Sequence, residues 1–175
     1  MTATIWFSLD RLPLPPRVRS TPVSPEDLAG IQAALLLARE GSSRGEIPVG
    51  AVVRQAGRTI GSAHNETVAR RDPTAHAELL ALQQALQQVG TGRLTEATLY
   101  VTLEPCAQCA GAIVLAKVGR VVFGAWDEKA GMAGSVGDVL RHRSLNHQPE
   151  VRGGVLAEEC GTLLRNLFDD RRAEP

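Results

Sequence analysis

The residues of this sequence that are most able to do chemistry lie in two short segments. One segment, DPTAHAE, spans residues 72–78, and the other, EPCAQC, spans residues 104–109. Their His76, Cys106 and Cys109 offer one imidazole and two thiolates, a ligand set that suits Zn²⁺ in tetrahedral geometry. Three protein ligands leave the fourth position for water, which separates a catalytic zinc site from a structural one. The two segments therefore predict a catalytic zinc centre.

Glu78 is predicted to move protons at this centre and not to bind the metal. It follows His76 by two residues, a spacing that is poor for a fourth ligand. Zinc lowers the pKa of a bound water to about 7, so a hydroxide nucleophile is available at neutral pH. A nearby carboxylate can take the proton from that water and deliver it to a ring nitrogen and a departing amine. His-x-Glu followed by Pro-Cys-x-x-Cys is typical of zinc deaminases of nucleobases.

Each half of this pattern also has a structural interpretation when taken alone. A histidine in His-x-Glu is often a surface or capping residue. A Cys-x-x-Cys pair can be a redox pair, half of a structural metal site or two core residues. A redox pair would follow a strand in a thioredoxin-like unit, which nothing in the sequence supports. The proline before Cys106 and the upstream HAE together favour hydrolytic zinc chemistry.

Helix N-termini are predicted to position both halves of the centre. Thr74 is predicted to cap a helix that runs to about residue 88, with His76 in its first turn. A strand over 97–102 leads to the second half, where Cys106 opens a helix to about residue 117. Free backbone N–H groups and the helix dipole favour thiolates at such a terminus.

The rest of the chain alternates between helical and extended patterns. Ser24 and Pro25 predict the start of a first helix, which ends in the glycine-containing stretch 41–45. The other predicted elements are strands over 48–54, 59–64, 120–125 and 150–153, a glycine-rich loop over 127–137, a short helical piece over 138–141, and a closing helix over 155–172. This alternation predicts an α/β sheet with helices on both faces.

Length and composition indicate a single ordinary globular domain. The chain has 175 residues, 43% hydrophobic and 22% charged, with no net formal charge. Neutrality argues against a protein that coats nucleic acid non-specifically. Four prolines between residues 13 and 22 predict that 1–23 is a disordered proline-rich leader and that 24–175 forms the domain.

The expected location is the cytoplasm, with no membrane partner. Three cysteines, two of them assigned to a metal, imply a reducing compartment. The first ten residues, MTATIWFSLD, lack the features of a secretory signal. No apolar run approaches the roughly 18 residues that cross a bilayer.

The sequence resembles the bacterial tRNA-specific adenosine deaminases, within the zinc-dependent cytidine/deoxycytidylate deaminase superfamily. The resemblance covers about 28–172 and includes IPVGAVV, HNE, RRDPTAHAELLAL, ATLYVTLEPCAQCAGAI, GRVVFGAWDEKAGMAGS and GVLAEECGTLLRNLFDDRR. It implies hydrolytic conversion of the wobble adenosine of an arginine tRNA anticodon to inosine. It also implies a cytidine-deaminase-like three-layer α/β/α fold with a five-stranded mixed sheet, one Zn²⁺ per subunit, a homodimer and no DNA substrate.

Residue by residue, the resemblance implies zinc ligands at His76, Cys106 and Cys109 and a proton shuttle at Glu78. It further implies contacts with the tRNA anticodon loop at Asn65, Ala77, Asp127, Arg171 and Arg172. Other roles for these substrate-side residues remain open. The asparagine is also a turn residue, the aspartate can brace its glycine-rich loop, and the arginine pair can be a solvated helix end.

Two residues depart from the family pattern. Gln108 stands between the cysteines where the family often has methionine, and little effect is expected because it is not a ligand. Trp126 precedes Asp127 at a variable position and is expected either to stack on a base or to pack within the protein.

Two other functions are compatible with the zinc motif. A deaminase of a free base or nucleoside, such as guanine or cytosine, would use the same metal site. A non-catalytic zinc-stabilised RNA-binding subunit would have no need for a carboxylate at Glu78. The segments outside the metal motif favour tRNA over a free base.

Overall fold

Four helices and five strands make up the part of the chain that the structure describes. The computed structural model describes the backbone of residues 22–173 and the side chains of residues 22–167. The predicted leader therefore lies almost entirely outside the described residues. The elements are α1 Pro25–Ser43, β1 Gly50–Gln55, β2 Arg58–His64, α2 Ala77–Val89, β3 Ala97–Leu103, α3 Ala107–Leu115, β4 Arg120–Ala125, β5 Glu150–Arg152 and α4 Ala157–Ala173.

The strands form one mixed sheet in the order β2-β1-β3-β4-β5. β1 is antiparallel to both of its neighbours, whereas β3, β4 and β5 are parallel to one another. Four of the five strands consequently end at the same edge of the sheet. β1 and β2 are joined by Ala56 and Gly57, whose φ values of 48° and 74° are the positive pair required by a type I′ hairpin turn.

Helices cover both faces of the sheet, which confirms the predicted three-layer arrangement. Alternate residues of β3 point to opposite faces. Leu99 and Val101 pack in the core shared with α2 and α3, whereas Tyr100 packs in the core shared with α1 and α4. Among the described residues, no helix is both long enough and apolar enough to span a membrane.

A glycine on β2 lets α2, the helix that carries Glu78, lie unusually close to the sheet. A Cβ added at Gly61 would lie 2.2 Å from the backbone carbonyl oxygen of Ala81. No side chain can occupy that space unless the helix moves outward. This contact therefore fixes the height of α2 above the sheet and, with it, the position of the first turn.

Two predicted local features are wrong. Thr74 does not cap α2, because its N–H and hydroxyl both bond to Asp72 Oδ1, at 2.8 and 2.7 Å. The cap position belongs to His76, and the helix begins at Ala77. The predicted helical piece over 138–141 is a series of turns after an isolated bridge between Ala133 and Asp138.

A buried ion pair fastens α1 to the sheet at the edge opposite the ends of β3 and β4. Asp27 is 1% exposed, and its carboxylate accepts hydrogen bonds from both terminal nitrogens of Arg120, one of them at 3.0 Å. Arg152 lies 3.7 Å away on β5. Burial raises the pKa of Asp27, but the hydrogen bonds and charge of Arg120 outweigh it, and the net pKa is lowered from 3.8.

We predict that Asp27→Asn lowers the free energy of unfolding by about 3 kcal/mol, because a neutral amide no longer balances the charge of the partly buried Arg120. Since the folded-state pKa lies below the unfolded value, the stabilisation is complete above about pH 5 and is lost as pH falls through the folded-state pKa. Urea unfolding at several pH values measures the difference. The exposed neighbour Glu26→Gln is the control, with an expected change under about 0.5 kcal/mol. A pH-independent difference would contradict the assignment.

Candidate metal centre

The three predicted ligands come together where α2 and α3 begin. His76 Nδ1 lies 3.6 Å from Cys106 Sγ and 3.5 Å from Cys109 Sγ. All three ligand atoms lie within 4.8 Å of one another. α2 follows the end of β2 and α3 follows the end of β3, so the ligands meet at the edge where these parallel strands terminate.

The spacing of these atoms fits a tetrahedral zinc ion. Zn–N and Zn–S bonds of about 2.05 and 2.3 Å at a tetrahedral angle place nitrogen and sulfur about 3.6 Å apart. The two observed separations agree with this value. One imidazole and two thiolates are also a donor set that zinc prefers. The residues present therefore fit zinc, bound to the histidine through Nδ1.

Backbone geometry explains why these side chains are free to bind a metal. His76 and Cys106 both occupy helix N-cap positions with extended backbone, and neither side chain caps its own helix. Gln108 connects the two halves, because its Nε2 donates a hydrogen bond of 2.9 Å to the carbonyl oxygen of Thr74. The residue between the cysteines thus ties the start of α3 to the segment that carries His76.

The two cysteines have opposite tendencies to ionise in the protein without metal. Hydrogen bonds from Cys109 and His76 lower the pKa of Cys106 to about 3. The hydrogen bond to Cys106 and burial raise the pKa of the Cys109 thiol. The hydrogen bond with Cys106 likewise raises the pKa of His76. Binding of a metal to both cysteines would therefore release the proton of the Cys109 thiol.

Glu78 lies in the first turn of α2 and is 4% exposed. Burial raises the pKa of its carboxyl to about 6, although its own backbone N–H and the charge of His76 act in the opposite direction. The Cys109 thiol also acts to lower the pKa of this carboxyl. Among the described residues, the group of potential ligand atoms comprises the histidine and both cysteines and leaves Glu78 outside. A carboxyl that titrates near neutrality beside the centre can both accept and release protons.

Asn65 supports the helix that carries Glu78. It is buried, and its Oδ1 accepts a hydrogen bond of 2.8 Å from the backbone N–H of Ala77, the first residue of α2. The asparagine thereby satisfies a helix N–H group that His76 does not cap. The Asn65 Nδ2 group makes no hydrogen bond with any residue that the structure describes. One half of this amide is structural, and the other half is available to a ligand.

Two buried carboxylates that the sequence analysis missed hold the loops beside the centre. Glu46 accepts hydrogen bonds from the backbone N–H groups of Val68 and Ala69, at 3.0 and 2.7 Å. Burial raises the pKa of Glu46, but these hydrogen bonds outweigh it, so the net pKa is lowered. The sequence signal was a glutamate directly before the apolar stretch IPVGAVV.

Glu104 is the second of these carboxylates and is 2% exposed. Its two oxygens accept hydrogen bonds from the N–H groups of Asp127, Ala133 and Ser135, at 3.1, 2.9 and 3.0 Å. Cys106 also forms an isolated bridge with Gly131. The glycine-rich loop after β4 is therefore fastened directly to the segment that carries a metal ligand.

The structure describes the side chains of some predicted substrate-contact residues but not of others. Asp127 Oδ1 accepts hydrogen bonds from the N–H groups of Lys129 and Ala130, at 2.9 and 3.1 Å, so the aspartate braces its loop. Ala77 is fully buried and its N–H is bonded to Asn65. The backbone of α4 extends through Arg171 and Arg172, but their side chains lie outside the described residues.

Three converging potential metal ligands and a buried non-ligand carboxylate, at the edge of a five-stranded mixed sheet between helices, are features of the zinc-type deaminases. A family model described as MafB19-like deaminase matches residues 26–172. The chain belongs to this deaminase family, and the resemblance to tRNA-specific adenosine deaminases is confirmed.

Known relatives support this assignment. The chain is 45% identical over 147 residues to the tRNA-specific adenosine deaminase of Bacillus subtilis strain 168, which covers 84% of this chain and 91% of the relative. A solved tRNA:A34 deaminase, studied for A-to-I editing, is 38% identical with a TM-score of 0.75 and covers 78% of this chain and 99% of that one. Guanine deaminase from Bacillus subtilis is 29% identical with a TM-score of 0.55, over 84% and 94%.

We predict that the purified protein contains about one zinc per chain and that Cys106→Ala removes nearly all of it, because two ligands do not hold zinc tightly. Cys160→Ala is the matched control, since Cys160 is buried in the core on the other face of the sheet. Elemental analysis after dialysis measures the metal. Equal zinc loss in both variants would contradict the proposed ligand set.

Proposed function

We propose that this chain is a zinc-dependent tRNA adenosine deaminase that converts the wobble adenosine of a tRNA anticodon, that of an arginine tRNA, to inosine. Water and adenosine give inosine and ammonia. The observation that carries the proposal is the buried Glu78 beside the converging ligand atoms of His76, Cys106 and Cys109. The similarity to tRNA-specific adenosine deaminases over most of the chain supports the choice of substrate.

Glu78 is the proton carrier of the proposed reaction. When bound, one zinc per subunit supplies an acidified water that can attack the base at neutral pH. The Glu78 carboxylate accepts a proton from this water and passes it to the ring nitrogen beside the attacked carbon. Glu78 would then move the second proton of the same water to the amino group, and the carbon–nitrogen bond breaks to release ammonia. Burial of Glu78 limits proton exchange with bulk water during these transfers.

Asn65 is proposed to orient the target nucleotide. Its Oδ1 is occupied by the N–H of Ala77, and its Nδ2 remains free to donate to the nucleotide. The Ala77 N–H already donates to Asn65, so a contact between Ala77 and the nucleotide would involve other atoms of Ala77. We also propose contacts with the anticodon loop at Asp127, Arg171 and Arg172. The Asp127 carboxylate would contact the RNA while it also accepts the hydrogen bonds that brace its own loop. Such a substrate implies cytoplasmic action on RNA and not on DNA.

We predict that wild-type protein forms inosine in an anticodon stem-loop with a wobble adenosine and that Glu78→Gln lowers this rate by about 10²- to 10⁴-fold. The variant should retain zinc, because Glu78 is not a proposed ligand. Glu96→Gln, an exposed glutamate just before β3, is the control and should keep wild-type activity.

Free guanine, cytosine and adenosine belong in the same assay, with ammonia release as the readout. Ammonia from a free base, with no inosine in the stem-loop, would replace the tRNA assignment by nucleobase deamination. Zinc binding without any deamination would instead indicate a non-catalytic subunit.

We also infer that the protein forms a homodimer through the outward face of α2 and α3. In these two helices the described residues include one charged side chain, Glu78, and it is buried. Between the helices lies a groove of about 330 Å³, lined mainly by leucine and alanine, beside which Leu115 is 79% exposed. Depletion of charge and exposed apolar side chains are features of interface cores. A protruding leucine and an apolar groove on one face suit a two-fold pairing.

We predict that Leu115→Glu shifts the protein from dimer to monomer, because the pairing would bury an unpaired carboxylate. Leu36→Glu is the control, since Leu36 is 65% exposed on α1, on the other side of the sheet. Sedimentation velocity measures the mass of the wild-type protein and of each variant. A wild-type monomer, or a dimer in the Leu115 variant, would reject this interface.

A further inference from the structure

Trp126 is the exposed aromatic side chain of the described part of the chain. It is 43% exposed, whereas the other described aromatic residues, Tyr100 and Phe123, are buried. The other large hydrophobic side chains that are exposed among residues 22–167 are aliphatic. Trp126 directly follows β4 and therefore lies at the edge of the sheet where the metal ligands meet.

The tryptophan ring packs against three neighbours although part of it is exposed. Phe123 contacts it edge to face, with ring centroids 4.7 Å apart and an interplanar angle of 89°. A Cβ added at Gly153 would lie 2.9 Å from the ring atom Cζ2, and one at Gly134 would lie 3.4 Å from Cζ3. Two glycine-containing loops thus pack against the ring, which has little freedom to turn inward.

The backbone of Trp126 is also tied to the segment that carries a metal ligand. The residue before it, Ala125, accepts a hydrogen bond of 2.9 Å from the Glu104 N–H. The residue after it, Asp127, donates a hydrogen bond of 3.1 Å to the Glu104 carboxylate. Glu104 precedes Cys106 by two residues. Two hydrogen bonds to one buried residue therefore tie the backbone on either side of Trp126 to the segment that carries Cys106.

We propose that Trp126 is a stacking platform for a base that neighbours the target adenosine in the RNA. The inference rests on the proposed function and adds a positioning residue to it. An exposed, pre-ordered aromatic ring beside a site that takes a single base out of a loop matches how proteins bind unstacked RNA bases. Core packing alone would favour burial of so large an apolar ring.

The rigidity of the ring has a consequence for binding. A side chain that is already ordered loses little conformational entropy when a base stacks on it. Stacking beside the target would improve binding of the RNA without entering the chemical step. The expected effect of removing the ring is therefore a higher KM with little change in kcat.

We predict that Trp126→Ala raises KM for the stem-loop roughly 10- to 100-fold and changes kcat by less than about threefold. Trp126→Phe should recover most of the loss, since it keeps a stacking face. Val136→Ala is the control. Val136 is 53% exposed on the same loop, and this substitution removes apolar surface but no aromatic ring. Circular dichroism and thermal unfolding establish that each variant is folded.

Stem-loops with an abasic site next to the target identify the stacked base. The increase in KM caused by Trp126→Ala should vanish on the stem-loop whose abasic site replaces the stacked base. It should persist on the stem-loop whose abasic site lies on the other side of the target. An unchanged KM in Trp126→Ala would overturn the proposal. A penalty of equal size on every abasic stem-loop would also overturn it.

A binding experiment separates this inference from the proposed function. The chain contains two tryptophans, Trp6 and Trp126, so Trp6→Phe leaves one fluorophore. In that background, with Glu78→Gln to prevent turnover, the stem-loop should quench Trp126 emission to saturation. Absence of quenching while the RNA binds would reject stacking even if wild-type protein makes inosine. Quenching without inosine formation by the wild type would retain stacking and reject the catalytic assignment.

Discussion

The convergence of two helix N-termini at one edge of the sheet is the constraint on which the rest of the site depends. α2 and α3 follow strands that run in the same direction, so both helices begin at that edge. The imidazole of His76 and the thiols of Cys106 and Cys109 meet there at the separations that tetrahedral zinc requires. Gly61 allows α2 to pack close to the sheet, and a side chain at that position would push the helix outward.

Three buried glutamates near this edge have different surroundings and hence different roles. Glu46 and Glu104 each accept several backbone N–H groups, so their charge is compensated and they serve as loop anchors. Glu78 has fewer donors, and burial raises its pKa to about 6. The same residue type thus anchors loops in two places and is the proposed proton carrier in the third.

The candidate metal centre and the loop that we propose to face the substrate lie in different segments of the protein. The metal ligands and Glu78 are the parts that deaminases of different bases share. The loop after β4 carries Trp126 and Asp127, and Glu104 fixes it to the metal-binding segment. Under the proposed function, this separation would permit the loop after β4 to vary while the ligand geometry is preserved.

The sequence by itself determined the chemistry and most of the architecture. Local patterns are sufficient for this, because ligand type and spacing identify the metal and hydrophobic periodicity identifies helices and strands. The predicted strand over 120–125 and the Ser24 cap of α1 appear in the structure as expected. The short motifs over residues 72–78 and 104–109 also indicated a deaminase.

Only the tertiary structure decided the roles that depend on distant partners. Thr74 has the side chain of a helix cap, but Asp72 occupies its hydroxyl and His76 takes the cap position. Asn65 supports Ala77 across twelve residues, and Glu104 holds a loop that begins more than twenty residues later. Neither pairing produces a periodic signal in the sequence, because a buried polar group is satisfied by whichever backbone group the fold brings to it.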